Sequence, residues 1–235
     1  KTFHSYLNYN FHFAFQKIHN FCANDLGGFY LDILKDRLYT AKFDSDARRS
    51  CQVVLSDILQ ALLRWVSPIL SFTAEEAWQT LNEDTESVHL LEWYEDWTDI
   101  GETTFSDNEW GKILEIRSEV NKHIEEARNQ NIIGSSLEAE LELFCDSDLK
   151  LLLDRFSDEL RFIFITSDAK VSLLGNVGTD TGIDGMKISV SKTTYQKCVR
   201  CWHSRPDVGT IKGHESICGR CYENVVGKGE IRIYA

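Results

Sequence analysis

The stretch ARRSCQVVLSDILQALLRWV, residues 47–66, carries the clearest secondary-structure pattern in the chain. Its apolar residues recur every three or four positions, which is the spacing of one face of an α-helix. These residues are Val54, Leu55, Ile58, Leu62, Trp65 and Val66. Ser45 or Asp46 can cap the start of the helix, and Pro68 marks its end. We therefore predict a long amphipathic helix with one buried face.

The segments on either side repeat the helical pattern. Gly27 and Gly28 are expected to interrupt the first of them. Thr73 and Glu76 have the spacing of a capping box, which predicts a further helix beginning at Ala74. Periodic apolar residues predict the other helices at Phe11–Cys22, Phe29–Tyr39 and Trp110–Ala127.

The pattern changes after Gly134, where apolar and acidic residues alternate. Such alternation is typical of a strand with one solvated face. Strands are predicted at Leu137–Leu143, Phe162–Thr166, Lys170–Leu174 and Met186–Val190, and a helix at Asp148–Leu160. The sequence thus predicts a mainly α protein, with a helical bundle over residues 1–133, a small α/β unit over 134–192 and a cysteine module over 193–235.

Four of the seven cysteines form the pattern C-x2-C-x16-C-x2-C, and they are Cys198, Cys201, Cys218 and Cys221. Random placement of the cysteines would give roughly 0.2 of one such C-x2-C pair, so two neighbouring pairs indicate a metal site. Each pair can aim two thiolates at one point, and four thiolates form the tetrahedral shell that zinc prefers. Because that shell has no open position for water, we predict one structural Zn²⁺ ion.

Other assignments of the cysteine module remain open at this stage. An iron–sulfur or rubredoxin-like centre uses the same ligands, and a redox dithiol needs only one pair. His203 and His214 are close enough in sequence to replace a cysteine, although four thiolates already complete the shell. We expect both histidines to be surface residues. A module of some forty residues has too small a core to fold alone, so metal binding should contribute much of its stability.

Charge is distributed unevenly along the chain. The net charge is −12, but residues 186–235 hold nine Lys and Arg against four Asp and Glu. Cations and aromatic residues surround the cysteines at Lys197, Arg200, Trp202, His203, Arg205, Lys212, Arg220, Tyr222, Lys228, Arg232 and Tyr234. This combination suits RNA, because cations neutralise phosphates and aromatic rings stack on unpaired bases. The alternative is that Trp202 and Tyr222 only cover the metal cluster.

The helical half has a second basic group, formed by Lys35, Arg37, Lys42, Arg48 and Arg49. The common catalytic motifs for nucleotide, zinc-protease and serine-hydrolase chemistry are absent from the sequence. The longest apolar run is the four residues 162–165, and the first twenty residues show no secretory pattern. We therefore expect a cytoplasmic protein that binds no membrane.

Several segments resemble one enzyme family. The stretches FYLDILKDRLY (29–39), DARRSC (46–51) and RWVSPILSFTAEEAW (64–78) are similar to the anticodon-binding helical domain of bacterial isoleucyl-tRNA synthetases. The carboxy-terminal zinc module of that family is similar to CVRCWH (198–203), DVG (207–209), ICGRC (217–221) and NVVGKGE (224–230). The chain departs from the family at Val199, where related zinc modules often have proline.

The resemblance implies the carboxy-terminal, tRNA-binding part of a class I aminoacyl-tRNA synthetase, an enzyme that uses ATP to join isoleucine to its tRNA. It implies that Zn²⁺ is held by the four paired cysteines, and that ATP and Mg²⁺ act in a catalytic domain whose His-Ile-Gly-His and Lys-Met-Ser-Lys-Ser motifs are absent here. This chain alone is expected not to aminoacylate. The partner would be isoleucine-specific tRNA, and we expect a monomer. The candidate tRNA-binding residues are Arg37, Arg48, Arg49, Trp202, His203, Arg205 and Arg220.

Two other functions compete with this interpretation. Formamidopyrimidine-DNA glycosylases end in a similar four-cysteine finger, but they need an amino-terminal catalytic proline that this chain does not supply, so DNA is not the expected partner. A zinc-containing protein-interaction module would suit the acidic net charge. Binding of tRNA that weakens with salt would distinguish the RNA-binding function from this second alternative.

Overall fold

The structure is a computed structural model that describes residues 2–81, 86–99, 101 and 103–234. The chain forms two compact units. The first comprises Lys1–Leu34 and Arg48–Gly101, and the second comprises Lys35–Ala47 and Glu102–Ala235. The cysteine module and the small α/β unit therefore belong to the same compact unit as residues 35–47.

Helices dominate the chain up to residue 129. They are α1 (Thr2–Leu7), α2 (Phe11–Asn20), a π-helix (Phe21–Tyr30), α3 (Leu31–Thr40), α4 (Asp46–Val66), α5 (Ser71–Leu81), a 3₁₀ turn (Val88–Leu90) and α6 (Asp107–Asn129). The predicted helix over residues 47–66 is confirmed to within one residue. In the first unit, Leu63 of α4 packs with Ala74 and Trp78 of α5 and with Val88.

The second unit contains a small mixed sheet. Its strands are β1 (Ala139–Cys145), β2 (Asp168–Leu173), β3 (Thr179–Asp180) and β4 (Met186–Lys192), and its other helices are α7 (Ser147–Asp154), α8 (Leu160–Phe164) and α9 (Gly219–Val225). In the described part of the chain the strand order is β2-β1-β4-β3, with β1 parallel to β2 and antiparallel to β4. Helix α6 packs against α8 and β4. The predicted fold class, mainly α with a small α/β unit, is confirmed.

The predicted strand at Phe162–Thr166 is wrong, because residues 160–164 form helix α8. All five residues of α8 are buried, so the segment shows no polar face from which a helical or a strand period could be read. Ile165, which has a left-handed backbone with φ of 56°, ends the helix. The predicted helix at Asp148–Leu160 likewise ends early, at Asp154.

The predicted start of α5 at Ala74 is also wrong, because the helix begins at Ser71. The Ala74 amide already donates to the Leu70 carbonyl at 2.9 Å, so Thr73 lies inside the first turn and cannot cap it. A complete capping box occurs instead at α6, where the side chain of Ser106 accepts from the Glu109 amide. The helical interruption predicted at Gly27 takes the form of the π-helix, which begins six residues earlier.

The membrane prediction can be compared with the helices themselves. Within the described ranges, we find no helix both long enough and apolar enough to cross a membrane.

Candidate metal centre

The thiols of Cys198, Cys201, Cys218 and Cys221 converge on one buried point. Their four Sγ atoms all lie within 4.8 Å of one another, and the Cys201 and Cys218 sulfurs are 3.7 Å apart. A tetrahedral zinc ion with Zn–S bonds of about 2.3 Å holds its sulfurs about 3.8 Å apart. The spacing of the thiols therefore fits a four-sulfur zinc shell. Neither His203 nor His214 belongs to this group of ligand atoms.

Two similar backbone turns position the thiols. In the first turn the Trp202 amide donates to the Cys198 carbonyl at 3.0 Å, and in the second the Tyr222 amide donates to the Cys218 carbonyl at 2.9 Å. Cys218 is the N-cap residue of α9, so Cys221 lies in the first turn of that helix. The two C-x2-C pairs thus form two tight turns whose sulfurs face each other.

Gly219 allows the side chain of Asp207 to approach the backbone closely at the start of α9. Its amide donates to Oδ2 of Asp207 at 2.6 Å, and a Cβ atom at this position would lie 2.7 Å from the same oxygen. A side chain here would push the Asp207 carboxylate away from this amide. The sequence Cys-Gly between the metal ligands therefore has a steric reason.

The electrostatics of the four thiols also favour a cation. Hydrogen bonds from the Cys198 and Cys218 thiols lower the pKa of Cys201. The pKa values of Cys218 and Cys221 are raised, chiefly by their hydrogen bonds to Cys198 and Cys201. The hydrogen bond with Cys201 raises the pKa of Cys198, but those from Cys218 and Cys221 outweigh it, so this pKa is lowered too. Without a counterion two of the four buried thiols therefore ionise readily and two do not. A divalent cation would stabilise all four thiolates, so the donor set fits Zn²⁺.

A cluster of buried charges lies beside the thiols. Arg220 donates to both carboxylate oxygens of Asp36 at 2.7 Å and to Oε1 of Glu230 at 3.2 Å. Arg232, whose side chain is 1% exposed, donates to Asp36 at 2.5 Å. Burial opposes the ionisation of Asp36, but the hydrogen bonds and charge of Arg220 and the charge of Arg232 lower the pKa of this carboxyl. The carboxylate therefore stays charged and anchors both arginines.

Further contacts connect the cysteine module to helix α3. Arg200 donates to the carbonyls of Thr40 and Tyr39 at 2.5 and 3.4 Å, at the end of α3 where carbonyl groups lack helical partners. The guanidinium of Arg232 lies 3.6 Å from the ring centroid of Phe162, and that of Arg220 lies 5.0 Å from it. The contacts of Arg200 fix the module on the end of α3, and those of Arg220 and Arg232 with Phe162 fix it on α8, within the same unit.

The candidate tRNA-binding residues divide by exposure. Arg49 and Trp202 are exposed, while Arg37, Arg48 and Arg205 are half-buried. Arg205 donates to the Ser167 carbonyl at 3.0 Å. Their predicted contact with tRNA stays a prediction.

The side chains of the two remaining candidate tRNA-binding residues, His203 and Arg220, make contacts inside the protein. His203 is 4% exposed, so the expectation that it is a surface residue is wrong. Its ring meets Phe162 edge to face at 5.6 Å, and its carbonyl accepts from the Cys198 amide. Arg220 is held by Asp36 and Glu230. Both side chains connect the cysteine module to the protein interior.

Sequence reasoning missed Asp36 and Phe162 as parts of this site, and it placed Arg232 near the cysteines without its buried partner Asp36. Asp36 lies 184 residues before Arg220 in the sequence, and no local spacing connects the two. A single sequence shows charge and periodicity but not long-range pairing, so Asp36 and Phe162 carried no recognisable signal and the partner of Arg232 could not be identified.

Comparison with protein families places this architecture in a known class. Residues 1–143 match the family described as the anticodon-binding domain of tRNA ligase. Residues 196–224 match the family described as the zinc finger found in FPG and IleRS. The chain belongs to the family of tRNA-ligase anticodon-binding domains.

The sequence is also similar to individual proteins whose names are more specific than the family descriptions. The chain is 49% identical to the isoleucine–tRNA ligase of Shewanella sp. strain MR-7, 47% to that of Acinetobacter baylyi and 48% to that of Azotobacter vinelandii. These similarities cover 97 to 98% of this chain and 25% of each relative. The chain thus spans about a quarter of the length of the curated relatives that it matches. The resemblance to isoleucyl-tRNA synthetases is confirmed.

Proposed function

We propose that this chain is the tRNA-binding, carboxy-terminal portion of an isoleucine–tRNA ligase and that it recognises the anticodon arm of isoleucine tRNA. The main support for the proposal is that an anticodon-binding domain over residues 1–143 is followed, in the same chain, by a four-cysteine finger. The buried thiols support a structural role for zinc, because a closed four-sulfur shell leaves no position for a reacting water.

Binding of tRNA would use exposed cations and aromatic rings. Arg49, which is exposed at the start of α4, is placed to neutralise a phosphate, with half-buried Arg48 next to it in the sequence, and Trp202 presents an aromatic ring beside the cysteines. Arg220 and His203 would act indirectly, because their buried contacts fix the position of the cysteine module. Contacts with phosphates would fix the orientation of the bound tRNA, and contacts with bases would select isoleucine tRNA over other tRNAs.

The chemistry of aminoacylation would take place in other residues of the ligase. The sequence has no ATP-binding signature of the class I enzymes, so ATP and Mg²⁺ would bind to a catalytic domain outside the 235 residues. The contribution of this chain is binding energy, which raises the effective concentration of the tRNA acceptor end at a distant active site. The chain alone is expected to bind tRNA without charging it.

The test is the affinity of the zinc-loaded chain for an isoleucine tRNA transcript and for the same transcript with an altered anticodon, measured across a salt series. We expect tighter binding of the native anticodon at every salt concentration, because base contacts add to the phosphate contacts. Equal affinities with a steep salt dependence would reduce the proposal to phosphate binding. No binding of either transcript would overturn it in favour of a protein-interaction module.

A further inference from the structure

A cavity of about 290 Å³ borders the four thiols. Cys201 and Cys218 belong to its wall, together with Arg161 of α8 and Glu223 of α9. Cys201, which is 8% exposed, is the most accessible of the four metal ligands, since the other three are 0 to 1% exposed. The metal site is therefore approached from solvent on the side of Cys201 and Cys218.

The other two cysteines are closed off from this cavity. Cys198 and Cys221 are 0% exposed and do not belong to the wall that the described residues form. The Cys218 amide donates to Sγ of Cys198 at 3.4 Å, and Arg200 donates to Sγ of Cys221 at 3.8 Å. A cation or reagent that enters the cavity thus meets Cys201 and Cys218 first.

The wall of the cavity carries arginines and carboxylates, and the arginines already have partners. These pairs are Arg220 with Asp36, Arg161 with Asp158 and Arg205 with Asp168, at 2.7, 2.6 and 3.7 Å. Asp207 and Glu223 also lie in the wall, and in the described part of the chain neither has a cation within ion-pair distance. These two carboxylates therefore leave negative charge in the cavity that no arginine of the wall neutralises.

Asp207 has one carboxylate oxygen available for a ligand. Its Oδ2 accepts from the amide of Gly219, the residue that follows the metal ligand Cys218, at 2.6 Å. Its Oδ1 is buried, and among the described residues it has no hydrogen-bond partner. A buried carboxylate oxygen without a donor is costly unless a cation or a water molecule satisfies it. Asp207 thus offers a free oxygen ligand next to the thiols.

We propose that Asp207 and Glu223 form a carboxylate site for a divalent cation in this cavity, and that metal exchange at the four thiols proceeds through this site. Two carboxylates bind Zn²⁺ less tightly than four thiolates do, so a cation would stay there only briefly before it moves to the thiols. The exchange is balanced in charge, because one divalent ion leaves the thiolates as another binds them. This inference rests on the zinc assignment and is independent of tRNA binding.

The decisive experiment challenges the full zinc-loaded chain with Cd²⁺ and compares the wild type with the double variant Asp207→Asn and Glu223→Gln. The asparagine retains an oxygen that accepts from the Gly219 amide, so zinc content and helicity should stay at the wild-type level. Replacement of zinc by Cd²⁺, followed by the mass of the intact protein, should slow by about 10-fold, because the cavity loses two charges that concentrate cations. Glu215→Gln is the matched control, since Glu215 is an exposed carboxylate of the same module outside the described wall.

Removal of zinc by an anionic chelator gives a readout that does not follow the one with Cd²⁺. EDTA should extract zinc from the double variant as fast as from the wild type or faster, because the cavity no longer repels the chelator. A change in the same direction with Cd²⁺ and with EDTA would show that the substitutions altered the stability of the metal site, and would overturn the proposal.

The side from which the metal site is reached is tested by alkylation of the zinc-loaded chain with N-ethylmaleimide, stopped at low conversion. Cys201 and Cys218 should be modified before Cys198 and Cys221, with exposed Cys22 as the internal measure of the reagent. Equal modification of the four metal-site cysteines would contradict access through this cavity.

The remaining outcomes are distinguishable. A wild-type chain without zinc would refute the metal assignment, on which this inference depends. Equal rates of Cd²⁺ exchange for the double variant and for Glu215→Gln would exclude the carboxylate site alone. Loss of zinc from the double variant before Cd²⁺ is added would show that the carboxylates stabilise the loaded site, which would also overturn this inference.

Discussion

The helical region around α4 and α5 and the cysteine region around α9 are stabilised in different ways. In the first, Leu63, Trp78 and Val88 form an apolar core, and the Trp78 indole donates to the Glu86 carbonyl at 2.9 Å. In the second, the core is the thiol cluster itself, with half-buried Asp36 and the buried guanidinium of Arg232 beside it. An apolar core loses stability in proportion to the apolar area that a substitution exposes, so it tolerates small changes. A metal site or a buried charge cluster loses most of its stability when one member is removed.

This difference predicts how each region responds to change. The helical region should keep its structure without metal, because its contacts are apolar and its helices are long. The cysteine region should lose its structure when either the metal or the charge balance is removed, because few apolar residues remain to hold it.

The largest effect is expected from Cys218→Ser with Cys221→Ser. Removing two of four thiolates should release zinc and unfold the residues around α9, while α4 and α5 keep their helical structure. Zinc content by mass spectrometry and helicity by circular dichroism test the two halves of this statement. Cys22→Ser is the matched control, since Cys22 is exposed and lies outside the cluster. An unchanged zinc content in the double variant would refute the metal assignment.

The converse experiment removes one large side chain from the apolar core of the helical region. Trp78→Ala should destabilise that region by about 3 to 5 kcal/mol, because it creates a cavity where a side chain is only 5% exposed. Urea unfolding should show the loss, while zinc retention at low urea stays at the wild-type level. Phe72→Ala, at a residue that is 93% exposed on the same helix, should have almost no effect. Zinc loss from Trp78→Ala would show that the two modes of stabilisation are not separable.

Asp36→Asn tests the charge cluster of the cysteine region. The amide would leave Arg220 and Arg232 with Glu230 as their remaining carboxylate, which should cost about 2 to 3 kcal/mol because both guanidinium groups are largely shielded from water. Faster zinc release to a chelator, with α4 and α5 unaffected, is the expected readout. Asp44→Asn, at an exposed aspartate, is the control. Equal release rates for the two variants would mean that the cluster does not support the metal site.

The pH dependence of the same carboxylate gives a smaller effect of defined sign. Because the pKa of Asp36 is lowered in the folded protein, its ionised form contributes stability above the ordinary carboxyl pKa of about 3.9. That contribution should disappear as the pH falls through the lowered folded pKa. The difference in unfolding free energy between wild type and Asp36→Asn should therefore be largest near neutral pH and shrink in acid. A difference that grew in acid would contradict the assigned direction.

The sequence alone predicted the structural features that depend on the spacing of residues close together in the chain. The helix at 47–66 was predictable because its apolar residues follow one period, and the metal ligands because each pair is separated by two residues. Residues 160–164 were not, because a helix that is buried on all sides loses its period. Asp36 could not be found either, because its partners lie far away in the sequence and surface and buried aspartates look alike there.

The smallest effect is expected at the start of α6, which shares a compact unit with the cysteine region but is capped rather than metal-bound. Ser106→Ala removes the side chain that accepts from the Glu109 amide at 3.3 Å, and should cost about 1 kcal/mol. Amide hydrogen exchange should increase in α6, with zinc release unchanged if the cysteine region unfolds independently. Ser135→Ala is the control, because Ser135 precedes a 3₁₀ turn without making a capping bond. If Ser106→Ala also accelerated zinc release, α6 and the metal site would unfold together. The loss of structure on metal removal would then involve the whole second unit and not only the cysteine region.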